Sequence, residues 1–150
     1  MAIEQCVVKS FKTEILKGLQ DFTASTGNAF KLALFDSEAT LNNTTTAYES
    51  TDEVGNSGTY TAGGGAATVE STFPKLDNTT AIVDFADVSF TSATISAQAA
   101  VIYNNSTVTG LTTNAAVCVL DFGGVKSSTA GTFTISFPAA EDDSAILRIA

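Results

Sequence analysis

The sequence predicts a mainly β protein, and within that class an antiparallel β-sandwich of jelly-roll or Ig-like type with one N-terminal helix. It holds 23 Thr and 14 Ser, and β-branched Thr favours the pleated, half-exposed surface of a sheet. Only 15% of the residues are charged, against about 25% in an average soluble domain. Short apolar or alternating segments separated by turn residues recur from residue 66 onward, a spacing that is typical of a two-sheet sandwich.

The N-terminal segment, residues 1–22, holds the clearest helical pattern. Its apolar residues recur at nearly every fourth position and form one stripe: Ile3, Val7, Phe11, Ile15, Leu19 and Phe22, with Val8 and Leu16 beside them. We expect an amphipathic helix that begins near Ser10 and ends near Gln20, because Gly18 and the small residues after it break the pattern. The stripe must pack on the β domain of the same chain or on a neighbouring subunit. We expect that β domain to stay mostly folded without residues 1–22.

Residues 23–150 predict a single β-sandwich domain, since 150 residues suit one domain. A half-buried strand is predicted at 29–35, and residues 36–65 predict a long loop with a helical turn around Tyr48. Loops of this length usually serve function or interaction. Further strands are predicted at 68–73, 80–85, 88–90, 93–103, 115–122, 132–137 and 145–149. The predicted core consists of apolar residues on these strands: Phe30, Leu32, Leu34, Ile82, Val101, Val117, Val119, Phe133 and Ile135.

The composition argues against several classes of function. The chain has no His, which excludes Ser-His-Asp and Cys-His triads and His-ligated metals. Seven basic residues stand against sixteen acidic ones, so the chain would repel phosphate backbones and nucleic acid is not an expected partner. No apolar run reaches the ~18 residues of a membrane span, and we expect no secretion signal. The glycine run at 63–65 lacks the Gly-Lys-Ser/Thr of a phosphate loop.

Carboxylates are the remaining candidates for chemistry. Asp84, Asp87 and Asp121 lie near predicted strand ends, and residues 141–143 form an acidic run. Such groups can hydrolyse glycosides or bind Ca²⁺. The chain has no Trp to serve as a sugar platform and no D-x-D-x-D-G loop. We therefore expect structural or solvated roles, with Asp84 and Asp121 accepting backbone hydrogen bonds, and we predict no catalytic residue, metal or cofactor.

The two cysteines are expected to be inert. Cys118 lies inside an apolar strand and is interpreted as a small core residue. Cys6 lies just ahead of the helix, and a disulfide between the two is the alternative. Neither thiol has a His to activate it.

Several stretches of the chain, together covering roughly residues 8–150, resemble a family of small virion structural proteins of tailed phages. These stretches are VKSFKTEILKGLQDF, NAFKLALFDSEATLNNTTTAYESTDEVGNSGTYTAGG, IVDFADVSFTSATISAQAAVIYN, NAAVCVLDFGGVKSSTAGTFTISFPA and AILRIA. The most specific pieces are FKLALF followed by SEATL, then YTAGG, VDFADV and AILRIA. Gly65 extends the glycine run, which departs slightly from the family pattern. The resemblance implies a role in particle assembly and supplies no catalytic residues.

The leading hypothesis is a capsid decoration, or cement, protein. It would be a homotrimer, made in the host cytoplasm, that binds the major capsid protein on the outer surface of the virion. A charge-poor surface rich in hydroxyl groups favours this hypothesis, because contact area can hold such a protein without chemistry. The alternatives are a tail, connector or fibre-base subunit, and a displayed carbohydrate- or receptor-binding β-sandwich. An enzyme is not expected.

The candidate attachment residues lie in the N-terminal segment and the long loop: Lys9, Phe11, Lys12, Ile15, Lys17, Leu19, Tyr48 and Tyr60. Residues 1–31 carry four Lys against three acidic residues, a net charge of +1. Residues 32–150 carry three basic against thirteen acidic residues, a net charge of −10. We therefore expect the lysines to add a salt-sensitive share of the binding if the partner surface is acidic.

Overall fold

The computed structural model describes residues 2–150, and it is mainly β, with 46% of residues in strands and 5% in one helix. The elements are β1 (Ala2–Ile3), β2 (Cys6–Val7), α1 (Lys9–Leu16), β3 (Phe30–Phe35), β4 (Thr40–Leu41), β5 (Gly65–Ala67), β6 (Lys75–Asp77), β7 (Thr80–Val83), β8 (Val88–Asn104), β9 (Ala116–Ile135) and β10 (Leu147–Ile149). They form an antiparallel sheet in the order β2-β9-β8-β3-β5, a second antiparallel sheet in the order β10-β7-β6, and a parallel pair of β1 with β4. The prediction of a mainly β protein with one N-terminal helix is confirmed.

The five-stranded sheet is built on the most apolar segments of the sequence. β3 pairs with β8 from Phe30↔Asn104 to Phe35↔Ala99, and β8 pairs with β9 along both strands. All nine predicted core residues are buried: Phe30, Leu32, Leu34, Ile82, Val101, Val117, Val119, Phe133 and Ile135. The alternation and apolar runs that predicted these residues therefore identify the core correctly.

β8 and β9 are longer than predicted. The predicted strands at 88–90 and 93–103 are one strand, and those at 115–122 and 132–137 are one strand. The turn residues between them predict strand breaks that the structure does not contain. Gly123 (φ 71°), Gly124 (φ 139°) and Ala130 (φ 45°) instead lie within β9, where positive φ bends the strand.

The bend brings the two halves of β9 against each other. The rings of Phe122 and Phe133 are eleven residues apart in sequence, a separation of about 36 Å along a straight strand. Their centroids lie only 6.3 Å apart. On β8, Ser92 has φ 50° and the register with β9 shifts beside it. The hairpin therefore bends sharply between Phe122 and Phe133.

The second sheet departs from the prediction at its edges. The predicted strand at 68–73 is reduced to an isolated bridge between Val69 and Phe85, and the strand β6 forms after Pro74 instead. Pro74 has no N–H to donate to a ladder, so a strand cannot continue regularly through it. Beyond Pro74, the tight turn at Asn78 (φ 51°) joins β6 to β7 and allows the two strands to pair. The strand predicted at 145–149 is confirmed in part as β10, which pairs with β7.

The helix α1 is shorter than the predicted span from residue 10 to residue 20. Gly18 has φ +69°, and its N–H donates to Ile15 O (3.0 Å). The N–H of Leu19 donates to Glu14 O (2.9 Å), which completes a Schellman motif and ends the helix. Leu19 and Phe22 therefore follow the helix rather than extend its stripe.

The N-terminal segment belongs to the same core as the rest of the chain. β2 pairs with β9, and Val8, Phe11 and Phe22 are buried in the main core cluster. The ring of Phe22 stacks on Phe30 with centroids 4.4 Å apart and meets Phe11 edge-on at 5.8 Å. Residues 1–22 thus share one core with residues 23–150, and this packing argues against the expectation that residues 23–150 stay mostly folded without them.

The long loop predicted at 36–65 is present, interrupted by β4 and several single bridges. The helical turn expected around Tyr48 does not form. Ala47 bridges Ala115 instead, and the Tyr48 N–H donates to Asn114 O (2.9 Å). The Ala116 N–H donates to Thr46 O (3.0 Å), so the backbone groups on both sides of Ala47 are bound to residues 114–116 and are not available for a helical turn.

Candidate interaction surfaces

The outer face of α1 is the most exposed cationic surface that the sequence predicted. Lys9, Lys12 and Lys17 are all exposed, as expected. Leu16, assigned to the apolar stripe, is 87% exposed and lies among them. It follows Lys9 by seven residues and Lys12 by four, a spacing that places all three on one helix face. The sequence therefore contained the signal for an exposed Leu16, and the stripe assignment was wrong at this residue.

The inner face of α1 anchors the helix. Phe11 is buried, and Ile15 and Leu19 are half-buried. Phe11 cannot contact a partner without leaving its own core, so its place among the attachment residues is corrected. The Val8 N–H donates to Val117 O (3.1 Å) and the Lys9 N–H donates to Asn43 O (2.9 Å). The helix is thus fixed at its beginning to β9 and to the long loop, and its outer face is held rigidly.

Three tyrosines and one carboxylate, here called the tyrosine cluster, close the long loop over β3: Tyr48, Glu53, Tyr60 and Tyr103. The Tyr48 hydroxyl donates to Glu53 Oε2 (2.6 Å) and the Tyr60 hydroxyl donates to Glu53 Oε1 (2.7 Å). The Gly63 N–H also donates to Glu53 Oε1 (2.7 Å), and the Tyr103 hydroxyl donates to Gly63 O (2.6 Å). The rings of Tyr48 and Tyr103 stack with centroids 4.6 Å apart.

The tyrosine cluster holds its hydroxyl groups in the protonated form. Burial raises the pKa of Tyr103 to about 12. The pKa values of Tyr48 and Tyr60 are also raised, first by burial and further by the adjacent Glu53 carboxylate. The Tyr60 hydroxyl also accepts a hydrogen bond from the Leu34 N–H (2.9 Å), so it links the loop to β3. These groups are donors that fasten the loop rather than bases that could take up a proton.

The two tyrosines predicted as attachment residues serve this internal role. Tyr60 is 1% exposed and Tyr48 is half-buried. Tyr60 is therefore corrected from a surface residue to a core residue. Its ring also packs edge-on against Phe90 at 4.8 Å. The long loop thus has a rigid inner side, and its tyrosines do not form an exposed aromatic platform.

The candidate carboxylates are occupied by the backbone. Asp84 accepts the Phe85 N–H (3.0 Å) and Asp121 accepts the Gly123 N–H (2.9 Å), which confirms the role predicted for both. Asp87 accepts the Phe137 N–H and the Ser136 hydroxyl, both at 3.1 Å. Burial raises the pKa of Asp84. Across residues 2–150, no three His, Cys, Asp or Glu side chains lie close enough together to hold a metal ion.

Both cysteines are free thiols. Cys118 is buried, as predicted, and burial raises its pKa to about 12. Burial also raises the pKa of Cys6. A raised pKa lowers the thiolate fraction and hence the reactivity of a thiol. The alternative of a disulfide between them is not realised.

A groove of about 550 Å³ lies inside the bend of β9. Its lining combines apolar side chains, including Leu120, Phe122, Phe133 and Ile146, with hydroxyl groups of Ser and Thr. A substrate site usually adds a few convergent polar groups that orient the ligand. Here the only charged side chains in the lining are Asp121 and Lys126, and the Asp121 carboxylate already caps Gly123. We assign no ligand to this groove.

No family model, curated protein or solved structure matches this chain. In the part of the chain that the structure describes, no helix has the length and hydropathy needed to cross a bilayer.

Proposed function

We propose that this protein is a structural subunit of a tailed-phage virion, and specifically a decoration protein that binds the major capsid protein on the outer surface of the shell. The observation that carries the proposal is the outer face of α1. Three exposed lysines surround an apolar side chain that is 87% exposed, and the opposite side of the helix is locked into the core. A helix whose backbone is already fixed suits contact with another protein, because the backbone itself loses little conformational entropy on binding.

The rest of the molecule supports a function based on contact. Only 15% of its residues are charged, so much of its surface carries hydroxyl and small side chains that lose little on desolvation. Its candidate carboxylates bind its own backbone, and its thiols have raised pKa values. These observations favour a protein without catalytic activity. The resemblance to small virion structural proteins supports the proposal that these contacts are made within a phage particle.

The proposal includes a homotrimer and a two-sheet architecture. Linked copies can share modest individual affinities, so a trimer would hold to a shell more firmly than a single copy. We assign the fold to the antiparallel β-sandwiches of jelly-roll or Ig-like type. The bent β8–β9 hairpin supports this assignment, because strands that pass from one sheet to the other at bulges and bends are a feature of such folds.

Co-sedimentation with phage particles stripped of this protein tests the proposal. We expect the full chain to bind at a constant ratio to the major capsid protein, and to bind less at high salt. The double variant Lys12→Glu/Lys17→Glu should bind at least about tenfold more weakly, since it reverses two charges of the contact face.

The matched control is Lys126→Glu, which reverses an exposed lysine on β9 and should bind like the unaltered chain. Equal binding of the double variant and the unaltered chain would show that the outer face of α1 does not contribute to attachment. Binding of only a few copies per particle would favour a tail, connector or fibre-base position.

A further inference from the structure

Four large apolar side chains are strongly exposed among residues 2–150: Leu16, Leu76, Val125 and Ile149. Single exposed apolar residues are ordinary on protein surfaces. Two of these four, however, belong to one row. Leu76 is paired with Ala81, and Ala81 is paired with Ile149, across the three strands of the second sheet.

The row, here called the overhang, extends the core-facing side of this sheet beyond the core. Residues paired directly across antiparallel strands share one face of a sheet. Two positions further along β7, Val83 pairs with Leu147 on the same face, and Leu147 is buried in the main core. Leu76 and Ile149 are 71% and 59% exposed. The two ends of the overhang are thus apolar and largely uncovered by residues 2–150, with the half-buried Ala81 between them.

An acidic turn borders the overhang. The Asp142 N–H donates to Asp77 Oδ2 (2.8 Å), and the Asn78 amide donates to Asp142 Oδ2 (2.7 Å). These bonds fix residues 141–143 beside the turn between β6 and β7. Glu141 and Asp143 are exposed on either side of this anchor. The overhang therefore combines an apolar centre with a mainly acidic border, at which the Arg148 guanidinium donates to Asp142 O (3.3 Å).

The outer face of α1 has the complementary chemistry, since its exposed Leu16 is flanked by Lys9, Lys12 and Lys17. We infer that the outer face of α1 in one copy of this protein docks on the overhang of a second copy. Leu16 covers the row of Leu76, Ala81 and Ile149, while the lysines face the acidic border. Opposite charges around an apolar centre favour the correct register and penalise other pairings.

Such a contact joins two different surfaces, so it is heterologous. A heterologous contact closes into a ring or continues as a chain of subunits. The inference deepens the proposed function, on which its biological role rests: the outer face of α1 contributes to attachment by linking copies, and each linked copy adds its own contact to the shell. In that case loss of the face weakens shell binding through lost multivalency. The contact itself is measured without any particle.

Sedimentation equilibrium of the full chain tests the contact. We expect an average mass above the 15.4 kDa of one copy. Leu16→Gln and Ile149→Thr should each weaken association by about tenfold or more. Val125→Thr is the matched control, because Val125 is 50% exposed outside both surfaces, and it should associate like the unaltered chain. Unchanged melting temperatures establish that each variant is folded.

Charge reversal tests whether the two surfaces meet each other. Lys12→Glu/Lys17→Glu and Glu141→Lys/Asp143→Lys should each weaken association, and the chain that carries all four changes should regain it. A monomeric unaltered chain, unaffected association in Leu16→Gln and Ile149→Thr, or no recovery in the fourfold variant would each overturn the inference. If a monomeric chain binds particles, the proposed function stands and the contact between copies is overturned. If the chain assembles but does not bind particles, the contact stands and the proposed function is overturned.

Discussion

At the scale of single residues, Glu53 organises more of the long loop than any other side chain. Its two carboxylate oxygens accept hydrogen bonds from Tyr48, Tyr60 and the Gly63 N–H. Hydrogen bonds to an ionised group are about twice as strong as neutral ones. The sequence placed Tyr48 and Tyr60 in an interaction loop but offered no sign of their common partner, because convergence of residues 48, 53, 60 and 103 depends on the path of the loop.

The tyrosine cluster predicts a loss of stability at alkaline pH. The folded-state pKa of Tyr103 is about 12, above the unfolded value of about 10, and the pKa values of Tyr48 and Tyr60 are also raised. The unfolded chain therefore releases these protons first. The stabilisation is fully present below pH ~10 and is lost as pH rises through the folded-state values. The free energy of unfolding should fall by up to about 1.4 kcal/mol per pH unit for each tyrosine involved.

Urea unfolding at a series of pH values from 9 to 12 measures this slope. The variant Tyr103→Phe removes one of the three ionisable hydroxyls and should show a shallower decline than the unaltered chain. An absorbance titration of the folded protein in which all three tyrosines ionise near their ordinary pKa would contradict this account of the cluster.

At the scale of elements, the apolar pattern predicted what lies at the centre of the sheets but not how long the strands are. β3 and the adjoining parts of β8 and β9 are the most apolar segments, and they were predicted almost at their observed positions. Residues 123–131 are polar and contain turn residues, so nothing local marks them as a strand. They are held in β9 by pairing with β8, which is a tertiary effect that overrides local propensity.

In the candidate interaction surfaces, too, local features could be predicted from the sequence and features that depend on long-range pairing could not. The exposed lysines of α1 were predicted correctly, since charge patterning is a local property of a helix. The prediction for Leu16 is wrong, because this residue adjoins the apolar stripe in the sequence but lies on the same helix face as Lys9 and Lys12. Leu76 and Ile149 could not be predicted as one row, because the pairing of β6, β7 and β10 is set by a contact between distant parts of the chain.

Closure of the long loop against β3 depends on Gly64. Its φ is +80°, and a Cβ added there would lie 1.9 Å from Leu32 O. Gly64→Ala should therefore reduce the free energy of unfolding by about 2 kcal/mol or more, from the strained φ and the displaced backbone. Urea unfolding of this variant measures the change.

The matched control is Gly55→Ala, in the same loop. No atom lies within 4 Å of a Cβ at Gly55, and its φ is not in the left-handed region. This variant should be neutral or slightly stabilising, because Ala reduces the entropy of the unfolded chain. Equal effects of the two substitutions would show that Gly64 does not determine how the loop closes.

At the scale of the whole molecule, the N-terminal segment joins the core to the surface of α1. Deletion of residues 1–22 removes Val8, Phe11 and Phe22 from the core and β2 from the edge of β9. Loss of one large buried side chain typically costs about 2–5 kcal/mol, and a domain of this size has only about 5–15 kcal/mol in total. We therefore expect the truncated chain to be unfolded or expanded.

Near- and far-ultraviolet circular dichroism of the truncated chain tests this expectation. The control is Lys9→Ala, which alters an exposed residue of the same segment and should keep the native spectra. A truncated chain with cooperative unfolding and native near-ultraviolet signals would show that residues 23–150 form a self-sufficient domain.

The central claim concerns the position of this protein on a particle, and imaging tests it most directly. Cryo-electron microscopy of phage particles with and without the protein gives a difference map of the whole virion. We predict added density at regularly repeated positions on the outer surface of the shell, in contact with the major capsid protein. Added density confined to the tail, the connector or the fibre base, or no difference at all, would contradict a role in capsid decoration.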